Sequence, residues 1–224
     1  MKAEELLVAA AADLSTAAPA LQDAFTRTSG FTLKWVFGGS GALARQIEAG
    51  APFDLYLSAN ERFVKDLALA GRLLPGSVSV YALGRLSLWS KAGSYRSEDD
   101  LRKPALRYLA LPNPALAPYG AAAKEFLLSL KLWTQVEPKV VYAENVLQAL
   151  QFAESGNADA VITAWSLVKS RGGVLLAPDA YSPLRQAGAV VRTSKQPAAG
   201  ARFLAFLTGI EGRAVLENFG FGAP

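Results

Sequence analysis

The sequence predicts an α/β protein with two lobes, each a mainly parallel sheet flanked by helices. Apolar runs of strand length alternate with amphipathic runs of helix length along the whole chain. Several strands are followed directly by residue types that begin helices. Two β-prone stretches, 78–91 and 189–192, are placed to cross between the lobes. We therefore assign residues 1–82 and 192–224 to lobe I and residues 83–191 to lobe II.

The first lobe begins with two consecutive strand–helix units. Residues 6–12 form a continuous apolar run, as expected for a strand buried on both faces. The residues after this run, 13–16, are rich in N-cap types, and the apolar spacing predicts a helix to about residue 28 with Gly30 as its C-terminal stop. Pro19 is tolerated only in a first turn, so this helix should begin near residues 16–18. Residues 31–37 form the second predicted strand, and residues 42–49 form the helix after it.

The other predicted elements continue this alternation, and glycine or proline marks many of their ends. Beyond residue 50, strands are predicted at 52–59, 108–111, 140–142, 160–164 and 174–177, and helices at 63–70, 97–101, 120–130, 147–154, 197–207 and 212–218. Ligands of such sheets lie beyond the carboxyl ends of the strands. The candidate site therefore lies at the strand–helix junctions, which are Ala12-Asp13, Gly39-Ser40-Gly41, Pro118-Tyr119-Gly120 and Asn145-Val146.

The junction at residues 37–41, with the sequence FGGSG, has the features of an anion site. Its glycines let the backbone approach a ligand closely, and the helix that follows presents N–H groups with no partner inside the helix. These groups and the helix dipole favour an anion, to which the Ser40 hydroxyl adds a donor. The alternative is a flexible loop in which Ser40 only caps the helix.

The composition excludes several kinds of chemistry. The chain has neither histidine nor cysteine, so it lacks a Ser-His-Asp triad, thiol chemistry and the usual ligands of Zn, Cu and Fe. This composition argues against an enzyme. We also expect no cofactor and no site for a bare metal cation. The net charge of +4 is spread over scattered lysines and arginines, which does not favour nucleic-acid binding.

The sequence contains no segment typical of membrane insertion or export. The longest apolar run covers residues 6–12, well below the roughly 18 residues of a membrane span. Residues 1–5 are not followed by the apolar segment and cleavage site of a secretory signal peptide. Two hypotheses stay open at this point, a cytosolic protein and the mature form of an exported one.

The junction motifs resemble, in order and spacing, those of the periplasmic molybdate-binding proteins of ABC transporters. The similar segments cover nearly the whole chain, and they are VAAAADL (8–14), FGGSG (37–41), ARQIEAGAP (44–52), DLYLSA (54–59), NP (113–114), APYG (117–120), ENV (144–146) and the tail (209–221). The resemblance implies a type II periplasmic-binding-protein fold, in which two crossing strands join the lobes. It also implies a periplasmic or extracytoplasmic monomer that captures molybdate or tungstate in the interlobe cleft and delivers it to a membrane permease.

The resemblance further implies the residues that contact the oxyanion. Carried over position by position, they are Asp13, Ser40, Tyr119 and Val146, with Ala12 and Thr163 as additional candidates. Ser40 would supply its hydroxyl and N–H, and Tyr119 and Val146 would supply backbone N–H groups. Molybdate or tungstate is then the ligand of the protein and not a cofactor.

Asp13 departs from the family pattern, in which serine or asparagine is common at this position. A carboxylate only accepts hydrogen bonds and repels a dianion, so we expect the Asp13 side chain to turn away, cap its helix and leave only its N–H for the ligand. Thr163 departs as well, because some members have a ligand-binding tyrosine there.

Two other functional hypotheses remain beside molybdate transport. Because of Asp13, a protein of the same fold that binds sulfate, a phosphonate or a small carboxylate stays open. A cytosolic sensor domain or enzyme on a related two-lobed fold is the second alternative. The absence of histidine, cysteine and paired-carboxylate motifs argues against the enzyme.

Overall fold

The computed structural model describes residues 5–224, so residues 1–4, where the predicted first lobe begins, lie outside the described part. Helices and strands alternate along most of the described chain. The chain forms two compact units, of which unit 1 contains the described residues up to Leu83 together with Arg185–Pro224, and unit 2 is Gly84–Leu184. The predicted fold class, an α/β protein in two lobes, is confirmed.

The elements follow one another as strand–helix units. The first segment of unit 1 contains β1 (Glu5–Ala11), α1 (Ala18–Ser29), β2 (Thr32–Gly38), α2 (Ser40–Glu48), β3 (Leu55–Ser58), α3 (Glu61–Leu69) and β4 (Ser79–Gly84). Unit 2 contains β5 (Leu86–Trp89), β6 (Leu109–Pro112), α4 (Pro118–Ser129), α5 (Trp133–Val136), β7 (Val140–Ala143), α6 (Val146–Ser155), β8 (Ala160–Ala164), α7 (Trp165–Val168) and β9 (Val174–Leu175). The chain then forms β10 (Leu184–Val190), α8 (Pro197–Thr208) and α9 (Ile210–Asn218). Within residues 5–224, none of the helices is both long and apolar enough to span a membrane.

The sheet of unit 1 has the strand order β2-β1-β3-β10-β4. Strand β1 runs parallel to β2 and β3, whereas β10 is antiparallel to β3. In this register Ala11, at the end of β1, lies opposite Gly38, at the end of β2. The carboxyl ends of the parallel strands therefore share one edge of the sheet, and the junctions that follow them lie side by side.

Two hydrophobic clusters cover the two faces of this sheet. On one face, Val8 of β1 belongs to a cluster with Phe25 of α1 and Phe203 of α8. On the other face, Ala9 belongs to a cluster with Leu43 of α2 and with residues of α3. Successive strand residues point to opposite faces, so a strand covered on both sides needs apolar residues throughout. This explains the unbroken apolar run that predicts β1.

The sheet of unit 2 has the strand order β7-β6-β8-β5-β9. Strand β6 is parallel to β7 and β8, and β5 is antiparallel to β8 and β9. Pro112, at the end of β6, lies opposite Ala143, at the end of β7. The junctions that lead into α4 and α6 therefore lie at the same edge of this sheet.

Some boundaries differ from the predicted ones. Helix α2 begins at Ser40 instead of residue 42, because Gly39 has the extended backbone of an N-cap residue. The chain returns to unit 1 at Arg185, ahead of the predicted residue 192, because residues 187–190 of β10 pair with β3. Both sheets are mixed, since β10 in unit 1 and β5 in unit 2 are antiparallel to their neighbours.

Candidate functional site

Ser40 is the first residue of α2 and lies at the carboxyl edge of the unit 1 sheet, 1% exposed. Its Oγ accepts a hydrogen bond from the Ala59 N–H at 3.0 Å, and its carbonyl oxygen accepts one from the Tyr56 hydroxyl at 2.8 Å. A hydroxyl that accepts one bond still has its hydrogen to donate. The backbone N–H of Ser40 lies in the first helical turn, where the helix dipole favours an anion. Both groups are thus held ready as donors.

Tyr56 fixes this end of α2 from the neighbouring strand. The Tyr56 hydroxyl donates to the Ser40 carbonyl; a tyrosine keeps its proton at neutral pH, and burial raises the pKa of Tyr56 further. Held by Tyr56 and Ala59, Ser40 has its orientation set before any ligand arrives. Such preorganisation lowers the entropic cost of binding.

Ala12 and Asp13 lie in a short 3-10 turn, Ala12–Leu14, that follows β1 and is buried throughout. The Asp13 side chain is fully buried, and its Oδ2 accepts a hydrogen bond from Nε2 of Gln186 on β10. The expectation that Asp13 caps the following helix is wrong, because α1 begins only at Ala18 and its N-cap residue is Ala17. The carboxylate is bound instead by a strand from the other end of the chain.

In unit 2, Tyr119 is the second residue of α4 and is 2% exposed. The first turn of this helix packs tightly on the end of β6, and Gly120 makes this possible. A Cβ at Gly120 would lie 2.1 Å from the carbonyl oxygen of Pro112, closer than real Cβ atoms come to any atom. Glycine is therefore required for the position of the turn that carries the Tyr119 N–H.

The start of α6 is the second helix start in unit 2 that carries a predicted contact residue. Asn145 is the N-cap residue, and its Oδ1 accepts the N–H groups of Leu147 and Gln148, both at 3.0 Å. This capping does not use the N–H of Val146, the first residue of the helix. This N–H lies at a helix start, where the dipole favours an anion, and its contact with a ligand stays a prediction.

Thr163, at the end of β8, is fully buried, and its hydroxyl donates to the Val146 carbonyl at 2.9 Å. The hydroxyl hydrogen of Thr163 is thus used on the backbone of α6. Thr163 therefore holds the first turn of α6 in place, and a direct contact of Thr163 with a ligand stays a prediction.

We expect replacement of Thr163 by valine to weaken anion binding several-fold, because one buried hydrogen bond of about 1 kcal/mol no longer holds the first turn of α6. Replacement by serine, which keeps the hydroxyl, should preserve most of the affinity. The matched control is Thr26→Val in unit 1, which removes a 2.8 Å bond from a threonine hydroxyl to the Phe31 carbonyl. Calorimetric titration of the three variants would show whether only Thr163→Val changes the affinity.

Several residues that shape the site are not evident from the sequence. Tyr56 lies within a predicted strand, and Gln186 lies outside all the motifs that carry the family resemblance. Their roles depend on contacts with residues far away in the chain, so no local pattern indicates them. Within residues 5–224, no group of three or more His, Cys, Asp or Glu side chains is placed to hold a metal ion.

Comparison with known proteins supports a solute-binding role. A family model described as "Bacterial extracellular solute-binding protein" matches residues 6–222. The chain is 36% identical to the molybdate-binding protein ModA of Rhodobacter capsulatus, over 98% of this chain and 88% of that protein. It is 32% identical to ModA of Azotobacter vinelandii, over 99% of this chain and 91% of that protein.

A solved structure shows the same fold. The periplasmic molybdate-binding protein of Azotobacter vinelandii matches with a TM-score of 0.92 and 27% sequence identity. The match covers 98% of this chain and 99% of that one. The similarity therefore extends over both units.

Proposed function

This chain belongs to the family of bacterial extracellular solute-binding proteins, and from this premise we propose that it captures molybdate or tungstate outside the cytoplasm and delivers it to the permease of an ABC transporter. The full-length similarity to two molybdate-binding proteins supports this choice of ligand. The observation that carries the proposal is Ser40, a buried serine at a helix N-terminus whose hydroxyl and N–H are held ready as donors.

The proposed contacts are mainly backbone groups. In unit 1 they are the N–H of Asp13 and both donors of Ser40, with Ala12 as a further candidate. In unit 2 they are the N–H groups of Tyr119 and Val146, while Thr163 acts through Val146. N–H groups at helix starts offset the charge of a dianion, so the anion needs no lysine or arginine in contact.

Asp13 is compatible with a dianion only if its carboxylate does not face it. Two unit charges 4 Å apart interact by about 4 kcal/mol at an effective dielectric constant of 20, and the second charge of a dianion doubles this repulsion. The bond from Gln186 holds Oδ2 of Asp13 inside unit 1. This arrangement removes the objection that Asp13 raised against a dianion such as molybdate.

The remaining parts of the proposal concern the biological context. We infer that the protein acts as a monomer in the periplasm or at another extracytoplasmic location, with a membrane permease as its partner and no role in nucleic-acid binding. We also infer that it has no catalytic step and no cofactor, since the oxyanion is its cargo. The absence of histidine and cysteine from the sequence supports this inference.

Calorimetric titration at neutral pH with molybdate, tungstate, sulfate and phosphate tests the proposed ligand. We expect one-to-one binding of molybdate and tungstate and no heat from sulfate or phosphate. Tight sulfate or phosphate binding without molybdate binding would contradict the proposal and favour another anion on the same fold. Silence with all four anions would also overturn it.

A further inference from the structure

We propose that Gln186 is a positioning residue that keeps the Asp13 carboxylate directed away from the bound oxyanion, so that Asp13 contributes only its backbone N–H. This inference rests on the proposed function, because it assigns a specificity role next to the same site. Gln186 lies outside every motif that carries the family resemblance, and it is 173 residues away from Asp13 in the chain.

The two side chains meet in the interior of unit 1. Asp13 and Gln186 are both 0% exposed, and Nε2 of Gln186 donates to Oδ2 of Asp13. A buried carboxylate is costly unless hydrogen-bond donors satisfy it, so losing one donor strongly affects where the carboxylate can lie. The carboxylate belongs to the same residue as one of the proposed N–H contacts, in the turn that directly follows β1.

A third buried residue fixes the orientation of the Gln186 amide. The Tyr81 hydroxyl on β4 donates to Oε1 of Gln186 at 2.9 Å. A tyrosine hydroxyl keeps its proton at neutral pH, and burial, with the negative charge of Asp13 after it, raises the pKa of Tyr81 further. With Oε1 occupied by a donor, the Nε2 end of the amide faces the carboxylate, which accepts hydrogen bonds and does not donate them when ionised.

The three residues therefore form a directed chain of hydrogen bonds, Tyr81 to Gln186 to Asp13. Tyr81 lies on β4, Gln186 on β10 and Asp13 in the turn after β1. The two hydrogen bonds therefore join both sequence segments of unit 1. Glutamine supplies a donor without adding a positive charge. The Gln186 amide thus binds one of the two carboxylate oxygens of Asp13, Oδ2, inside unit 1.

The test compares molybdate affinity by calorimetry in the wild type and in Gln186→Met, which keeps the length of the side chain and removes both the oxygen and the NH2 of the amide. We expect affinity to fall about tenfold or more, the value of roughly one hydrogen bond to a charged group. The double variant Gln186→Met/Asp13→Asn should bind more tightly than Gln186→Met, because asparagine carries no charge to repel the anion. A residue with a merely structural role would show no such rescue.

Gln196→Met is the matched control, since Nε2 of Gln196 donates to the Glu5 carbonyl in the same unit, and we expect its affinity to equal that of the wild type. If Gln186→Met does not fold, Tyr81→Phe replaces it, with a smaller loss that Asp13→Asn again reverses. Wild-type affinity in the folded Gln186→Met variant would overturn this inference and leave the proposed function standing. A double variant that binds no more tightly than Gln186→Met would do the same. A wild type that binds neither molybdate nor tungstate would overturn the proposed function, and the inference with it.

Discussion

Replacement of Gly120 by alanine is expected to weaken molybdate binding at least about tenfold, the value of one hydrogen bond to a charged group, and to lower the melting temperature. The new Cβ would lie 2.1 Å from the Pro112 carbonyl oxygen and 2.8 Å from the Pro112 carbonyl carbon. Both atoms belong to the backbone of β6 and cannot rotate away, so the first turn of α4 must move. The N–H of Tyr119 moves with it. Calorimetric titration and thermal unfolding measure the two effects separately.

Gly212→Ala is the matched control for this variant. A Cβ at Gly212 would lie 2.2 Å from the Phe206 carbonyl oxygen, a clash of the same kind at the start of α9 in unit 1. We expect this variant to lose stability and to keep its molybdate affinity. Wild-type affinity in Gly120→Ala would exclude the start of α4 from the binding site. Equal affinity losses in both variants would attribute the effect to general destabilisation.

Replacement of Ser40 by alanine is expected to weaken molybdate binding by about 1.5–3 kcal/mol, roughly tenfold to more than a hundredfold. The variant loses the hydroxyl donor to the anion. It also loses the acceptor of the Ala59 N–H, which is buried and would have to find another partner. Titration of the variant with molybdate and tungstate gives the loss for each anion.

Ser77→Ala separates the ligand contact from the loss of a structural serine. The Ser77 hydroxyl donates to the Leu74 carbonyl at 2.7 Å and accepts from the Val190 N–H at 3.1 Å, so it also joins two parts of unit 1. We expect Ser77→Ala to lower stability without changing affinity. An unchanged affinity in Ser40→Ala would place the Ser40 hydroxyl outside the contact shell.

The sequence predicts those parts of the site that depend on local chemistry. Strand β1 is recognisable because burial on both faces requires an unbroken apolar run. The start of α2 follows from glycines before a helical pattern, although the exact first residue, Ser40, depends on the backbone of Gly39. The start of α6 follows from Asn145, whose side chain caps the next N–H groups. In each case the deciding residues are neighbours in the chain.

The parts that the sequence does not predict depend on distant contacts. The hydrogen bond from Gln186 sets the direction of the Asp13 carboxylate, and the hydrogen bond from the Tyr56 hydroxyl fixes the Ser40 carbonyl. The requirement for glycine at position 120 comes from the Pro112 carbonyl, which approaches only after β6 and α4 have packed together. Neither side-chain direction nor close packing has a signature in a short stretch of sequence.

The place of β10 in its sheet has a consequence for the order in which the chain becomes structured during synthesis. Unit 2 is continuous, so all of its residues have been made once position 184 is complete. Unit 1 lacks the strand between β3 and β4, and the helices α8 and α9 that cover one of its faces, until the last forty residues have been added. During that interval β3 has an unpaired edge and its apolar face is uncovered, the state in which chains aggregate or bind chaperones. Shortening the chain at its carboxyl end should therefore damage the half of the protein that contains Ser40, although the residues removed are distant from Ser40 in sequence.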